Sequence, residues 1–342
     1  MKVFCLFLCL LWTVAGKADQ VLIEDLLKQD FYESLRVGGL PTNCVKEHAL
    51  ECDQQQRMIY LFAERHSVSI PGWVMTAAPL KADYPFPKAV PPSQVQELLS
   101  RSVSHQHFYS GRYQALPEAY VFCRTQRKYP CQIAIRQPNG QWLRSEDGGL
   151  WSLPILGYSK KRKPYYKVDG NTPFGVYRID GVMPEANNRW VFGSFRRLIL
   201  NFVSPQNEGQ LLGNLIPSSH EGLFWWQATQ VARDQGRDLF RIHGTGLGHR
   251  NRRSSYYSFV STRGCLTTRE GHYDRVRYRD QQILLDALMR AQGLNVESAN
   301  EHFIRALLFV LPISEDDRAV EREDIEGLIA ESMSSGYESK VY

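Results

Sequence analysis

Among the residues able to do chemistry, Cys265 stands apart from the chain's other six cysteines. It ends the run Ser261-Thr262-Arg263-Gly264-Cys265, a strand or turn that delivers a lone thiol. Upstream, Arg241-Ile242-His243-Gly244-Thr245 reads as a strand end that carries a histidine into a Gly-rich loop. A Cys and a His on adjacent strand ends form a nucleophile–base pair when thiol and imidazole come within hydrogen-bond reach. A thiol titrates near 8.5, so a neighbouring imidazolium favours the reactive thiolate at neutral pH. Gly264 lets the backbone approach closely, so N–H groups around Arg263, Gly264 and Cys265 can face a developing oxyanion. A third stretch, Asp169-Gly170-Asn171-Thr172-Pro173-Phe174-Gly175-Val176-Tyr177, reads as a tight turn feeding a strand. These are the residue types that acyl transfer needs.

The order and spacing of the three stretches resemble the L,D-transpeptidase catalytic domain, also called the YkuD domain. The matching segments are Thr172-Pro173-Phe174-Gly175-Val176-Tyr177, then His243-Gly244-Thr245, then Thr262-Arg263-Gly264-Cys265. The resemblance covers roughly residues 118–275. It implies a β-sandwich or barrel fold and a cysteine acyltransferase acting on peptidoglycan stem peptides, with no metal or organic cofactor. Cys265 would attack the amide before a terminal D-amino acid. His243, oriented by a neighbouring backbone carbonyl, would be the base, and backbone N–H groups near Gly264 would form the oxyanion hole. Gly244, Thr245, Tyr256, Tyr257, Thr262, Arg263 and Thr267 are the substrate-side candidates. Arg263 stands where the family often has His, and Thr267 where it usually has Arg or Asn, so the substrate or acceptor can differ. Resolution by water in place of an amine would make the protein an L,D-carboxypeptidase or endopeptidase. A decayed, non-catalytic cell-wall-binding domain is the alternative of another class.

The elements expected to position these residues are short strands. Residues 119–123, 132–136, 141–144, 150–156, 175–179, 198–203 and 239–243 alternate or run apolar between turn signals. A helix is expected at 225–237, a strong amphipathic one at 280–292, and helix or strand at 303–311. The reading is therefore mainly β, a sandwich or barrel with helical additions at both ends. Residues 1–18 read as a signal peptide, with Lys2, an apolar run over 3–15 and small residues at Gly16 and Ala18. Residues 19–117 read as a helical, irregular leader, including helices over 21–35 and 94–103 and a Pro-rich arm over 79–92. Residues 118–279 form the catalytic domain, and 280–342 a helical extension with an acidic tail.

Export would place the protein in the periplasm or cell envelope, where cysteines oxidise. Cys44, Cys52, Cys123 and Cys131 allow three pairings; the shared eight-residue offset favours Cys44–Cys52 and Cys123–Cys131, leaving Cys265 free. The formal net charge is +5, but residues 151–275 hold 18 Lys or Arg against 9 Asp or Glu, and residues 314–342 hold 9 acids against 3 bases. That asymmetry suggests an anionic partner for the middle, or a tail folded back onto it. The expected partners are stem peptides and other envelope proteins. Nucleic acid is disfavoured by export, and no segment after the N-terminus is apolar enough to cross a bilayer. His243, His249, Cys265 and His272 follow no familiar zinc spacing. The run Gly244-Thr245-Gly246-Leu247-Gly248 lacks the Lys-Ser/Thr of a phosphate loop.

Overall fold

A computed structural model describes residues 84–101, 106–109, 112–183, 189–203, 212, 215–220 and 222–334. The expected signal peptide, the helix over 21–35 and the pair Cys44–Cys52 lie outside these residues.

The N-terminal helix α1 (Pro92–Ser100) starts on a proline whose missing N–H is no loss in a first turn. A hairpin follows, β1 (Gln106–Tyr109) and β2 (Arg112–Ala115). The main sheet is built from β3 (Glu118–Arg124), β4 (Cys131–Arg136), β5 (Ser152–Ile155), β6 (Gly175–Val182), β7 (Leu198–Phe202), β8 (Phe240–His243), β9 (Leu266–Thr267) and β12 (Ala306–Ser314). The order across it is β5-β4-β3-β12-β6-β7-β8-β9. The two edge strands then meet: Leu156 and Thr267 exchange both backbone hydrogen bonds, at 2.9 and 2.8 Å. The sheet is thus a nearly closed barrel of eight strands, mainly β with helices outside it. Closure hides edges that would otherwise template other strands.

Why β12 is central can be read from its sequence. The run Ala-Leu-Leu-Phe-Val-Leu is buried throughout and pairs parallel to β3 and antiparallel to β6. A strand covered on both faces has no reason to alternate. The ambiguity of residues 303–311 is therefore resolved as strand from Ala306 onward, after a 3-10 helix that ends at Phe303, and a segment assigned to the C-terminal extension occupies the middle of the main sheet. Residues 141–144 form only isolated bridges, Arg136 with Trp142 and Arg144 with Leu150, between turns at 138–140 and 146–149.

Of the remaining helices, α2 (Arg189–Phe192) and α3 (Ala228–Asp234) are short. The expected helix over 225–237 is a 3-10 turn at Trp225–Gln227 running into α3. Helix α4 (Asp280–Gln292) has the expected bounds and ends on Gly293 at φ 76°, the left-handed stop that glycine accepts most readily. It follows the small hairpin β10 (Glu270–Tyr273) and β11 (Val276–Arg279). Helix α5 (Arg322–Ser334) closes the described chain and packs on α1. The acidic segment before it and its first turn bind the end of β3 and the turn beyond: Arg124 pairs with Asp324 at 2.7 Å and with Asp316 at 3.1 Å, and Lys128 with Asp317 at 3.5 Å. So part of the acidic tail does fold back, onto residues 124–128 rather than onto 151–275. Among the described residues, no helix is long and apolar enough to cross a membrane.

A candidate cysteine–histidine active site

The three stretches singled out in the sequence converge at one side of the barrel. Strands β8 and β9 run parallel, with Ile242 opposite Leu266 and His243 opposite Thr267. Cys265 immediately precedes Leu266. Strand alternation therefore assigns Cys265, Thr267, Arg241 and His243 to one face and the core residues Phe240, Ile242 and Leu266 to the other. The first stretch is tied to the third directly: Thr172 Oγ1 donates to the Gly264 carbonyl at 2.7 Å, and both groups are buried.

His243 is buried in the outer layer, its ring in edge contact with Phe192 of α2 at 5.2 Å. Its Nδ1 lies 2.5 Å from the Gly244 carbonyl oxygen. A carbonyl only accepts, so Nδ1 carries the hydrogen and Nε2 is left as the basic nitrogen. Burial drives the imidazole's pKa down to about 3 against the pull of that carbonyl, and the nearby Arg197 and Arg241 charges push the same way. The side chain is thus a neutral base at pH 7 with its tautomer set by the backbone. It is not a resident imidazolium, so the cation that would favour a thiolate has to come from elsewhere.

Cys265 is half-buried and is not part of a disulfide, whereas Cys123 and Cys131 form one across the β3–β4 turn. Gly264 has φ 128°, a conformation that side chains rarely adopt. Thr262 ties down the backbone of this loop, its Oγ1 donating to the Cys265 carbonyl at 2.8 Å. Main-chain bonds from Lys160 to Thr262 and from Thr262 to Tyr158 lay the 157–171 connection along this loop. Arg263 is exposed and faces Asp169 at 3.8 Å. Thr267, in contrast, is fully buried and donates to the Val260 carbonyl at 2.9 Å. Thr245 is buried as well, accepting from Leu247 N–H at 3.1 Å, so it shapes the loop after His243.

Tyr256 and Tyr257 belong to an aromatic row beside this face. Tyr256 lies 5.4 Å from Tyr158 and 5.0 Å from His249, and Tyr257 stands edge-on to Tyr273 at 5.7 Å. Arg252 is spent on Asp274 at 2.6 Å. Among the described residues no group of three or more His, Cys, Asp or Glu could hold a metal ion.

Several residues at the site carry no motif. Phe192 and the exposed Trp190 come from α2, where Gly246 N–H donates to the Arg189 carbonyl at 3.2 Å. Glu270 accepts from Ser194 N–H at 2.7 Å, and its other oxygen lies against Gly244 without a partner. Arg127 and Arg237 are buried cations, Arg237 against Gly264 and Arg127 beside Gly157. Arg127 stacks on Phe174 at 4.5 Å with no hydrogen-bond partner for its guanidinium. An isolated Arg between apolar neighbours gives no periodic signal, so only the fold could reveal these two. Searches of family models, curated proteins and solved structures match nothing to this chain, so its kinship is not established by comparison.

Proposed function

We propose that this protein is a cysteine acyltransferase of the L,D-transpeptidase type, exported to the cell envelope and acting on peptidoglycan stem peptides. The observation that carries the reading is His243: a buried, neutral imidazole with Nδ1 fixed on the Gly244 carbonyl, on the strand paired with the one that Cys265 leads. The Nδ1 anchor leaves Nε2 unprotonated and open to a proton, as a general base requires, while burial weakens it as a base and leaves the thiol's ionisation to be helped by another group.

In the proposed reaction, His243 Nε2 takes the Cys265 proton as sulfur attacks the amide carbonyl preceding a terminal D-amino acid. The C–S bond forms, the C–N bond breaks, and His243 returns the proton to the departing amine. An amine of a second stem then attacks the thioester and gives its proton to His243. The new amide forms as the C–S bond breaks, and the proton goes back to sulfur. Backbone N–H groups at Gly264 and Cys265 would receive the oxyanion in both steps. Arg263, Tyr256 and Tyr257 are offered as stem contacts. The disulfide Cys123–Cys131 supports an oxidising compartment.

A carbapenem provides the test, because its strained amide acylates a competent thiol and stays. The protein should gain one drug mass on the peptide containing Cys265, and Cys265→Ala should gain none. A wild-type protein that stays unlabelled would count against a working acylation site and favour a binding role.

A further inference from the structure

The cation missing from the Cys–His pair has a candidate in Arg237, which lies between α3 and β8 and belongs to no motif. Its guanidinium is buried, stacked over Phe240 at 4.8 Å, and held by main-chain carbonyls alone: Nη1 donates to Tyr165 and, at 2.8 Å, to Asn171, and Nη2 to Gly170 at 2.9 Å. These acceptors belong to the same turn that carries Thr172. A Cβ placed on Gly264 would fall 2.2 Å from Nη2. The cation therefore rests on the α-carbon adjoining Cys265, which is a second reason, besides its φ, for glycine at 264.

None of these partners carries a formal charge. Burial pulls the guanidinium down to about 10, so it remains a full cation at neutral pH. Against burial, the ionisable neighbours that favour its charged form are Tyr177, Cys265, Asp169 and Asp238. Asp169 faces Arg263, and Tyr177 keeps its proton because burial raises it and its hydroxyl donates to Pro173. Near Cys265, then, stand Arg237 against Gly264, the Arg263–Asp169 pair at the surface, and the neutral His243 with Arg241 on the paired strand β8. A buried cation whose hydrogen bonds all go to main-chain carbonyls, with Asp169 and Asp238 as nearby carboxylates, lowers the free energy of a further negative charge beside it.

We propose that Arg237 is a positioning residue that stabilises the Cys265 thiolate, acting as the fixed counter-charge that a neutral His243 does not supply. The proposal rests on the reading of Cys265 as a nucleophile; where the sulfur is ionised before attack, the departing amine takes its proton from solvent instead of by way of His243.

Alkylation by iodoacetamide tests it without any substrate: the thiolate displaces iodide, and mapping of the Cys265 peptide reads the rate from pH 5.5 to 9.5. In the wild type that rate should be substantial at pH 6.5, well above that of the same cysteine in the urea-unfolded chain. Arg237→Gln should slow it at pH 6.5 by roughly tenfold or more, the equivalent of one pKa unit, and leave it within about threefold at pH 9.5, where any thiol is ionised. Arg237→Lys should recover part of the loss. Superimposable wild-type and Arg237→Gln profiles, with both proteins folded by thermal unfolding, would overturn the proposal. Should Arg237→Gln not fold, the wild type decides: reactivity that rises only with that of the unfolded chain overturns it too. Carbapenem labelling separates the two readings, since an Arg237-dependent profile without acylation sinks the transferase and keeps the counter-charge.

Discussion

Acidification is the perturbation that His243 should register most directly. In the folded chain its imidazole is held at about 3, chiefly by burial, against an ordinary 6.5. As pH falls through 6.5 the unfolded chain takes up a proton that the folded chain refuses. Stability is therefore lost on the way down from 6.5, and the loss levels off near pH 3. At 1.36 kcal/mol per pKa unit, this one residue should cost about 2 kcal/mol at pH 5 and about 5 kcal/mol near pH 3. His243→Gln does not titrate and removes the contribution. The assay is urea unfolding of both proteins at pH 7.5, 6.0 and 5.0, followed by the difference between their losses. His220 and His249, which burial also pushes down, act equally in both and cancel. Wild type should lose about 2 kcal/mol more than the variant between pH 7.5 and 5.0. Equal losses, or an imidazole seen by NMR to titrate near 6, would refute the picture of a buried neutral base.

Other perturbations give sharper local tests. Replacing Cys123 or Cys131 by serine frees a turn whose ends are eight residues apart, and calorimetry should show a loss of about 2–3 kcal/mol that reductant reproduces in the wild type. Glu118 accepts from Arg136 Nε and from the Tyr120 hydroxyl, both at 2.7 Å inside the core. Glu118→Leu should thus cost about 3–5 kcal/mol by stranding the Arg136 charge, and Arg136→Met on top of it should recover much of the loss. Gly264→Ala puts a Cβ 2.2 Å from Arg237 and strains a φ of 128°. We expect a destabilisation of about 1–3 kcal/mol together with slower alkylation of Cys265, and unchanged reactivity would argue against the contact.

How much of this was legible in the sequence depends on the range of the interactions involved. Strands such as β3, β4 and β6 announced themselves through local apolar runs and turn residues, and α4 through its periodicity and its terminal glycine. The convergence of Thr172, His243 and Cys265 was signalled only by small motifs, yet the Thr172–Gly264 bond and the β8–β9 register bring those stretches together. What the sequence concealed is long-range. The central place of β12 depends on distant partners on both sides, β3 with Leu307 beside Glu118 and β6 with Ala306 beside Ile179. The buried Arg237 is recognisable only once the carbonyls of 165, 170 and 171 are folded around it. Thr267 looked like a substrate contact because it lies two residues after the thiol, but strand closure turns its hydroxyl to Val260. The neutrality of His243 likewise follows from burial, which local sequence does not reveal.

The central claim is that Cys265 carries an acyl group from one stem peptide to another. The most direct measurement incubates the mature protein, and its Cys265→Ala variant, with defined disaccharide-tetrapeptides and reads the products by mass. The account predicts cross-linked dimers lacking one terminal D-alanine, formed by the wild type and absent with the variant. Dimers formed equally by the variant, or no product from a wild-type protein that is folded, would contradict it.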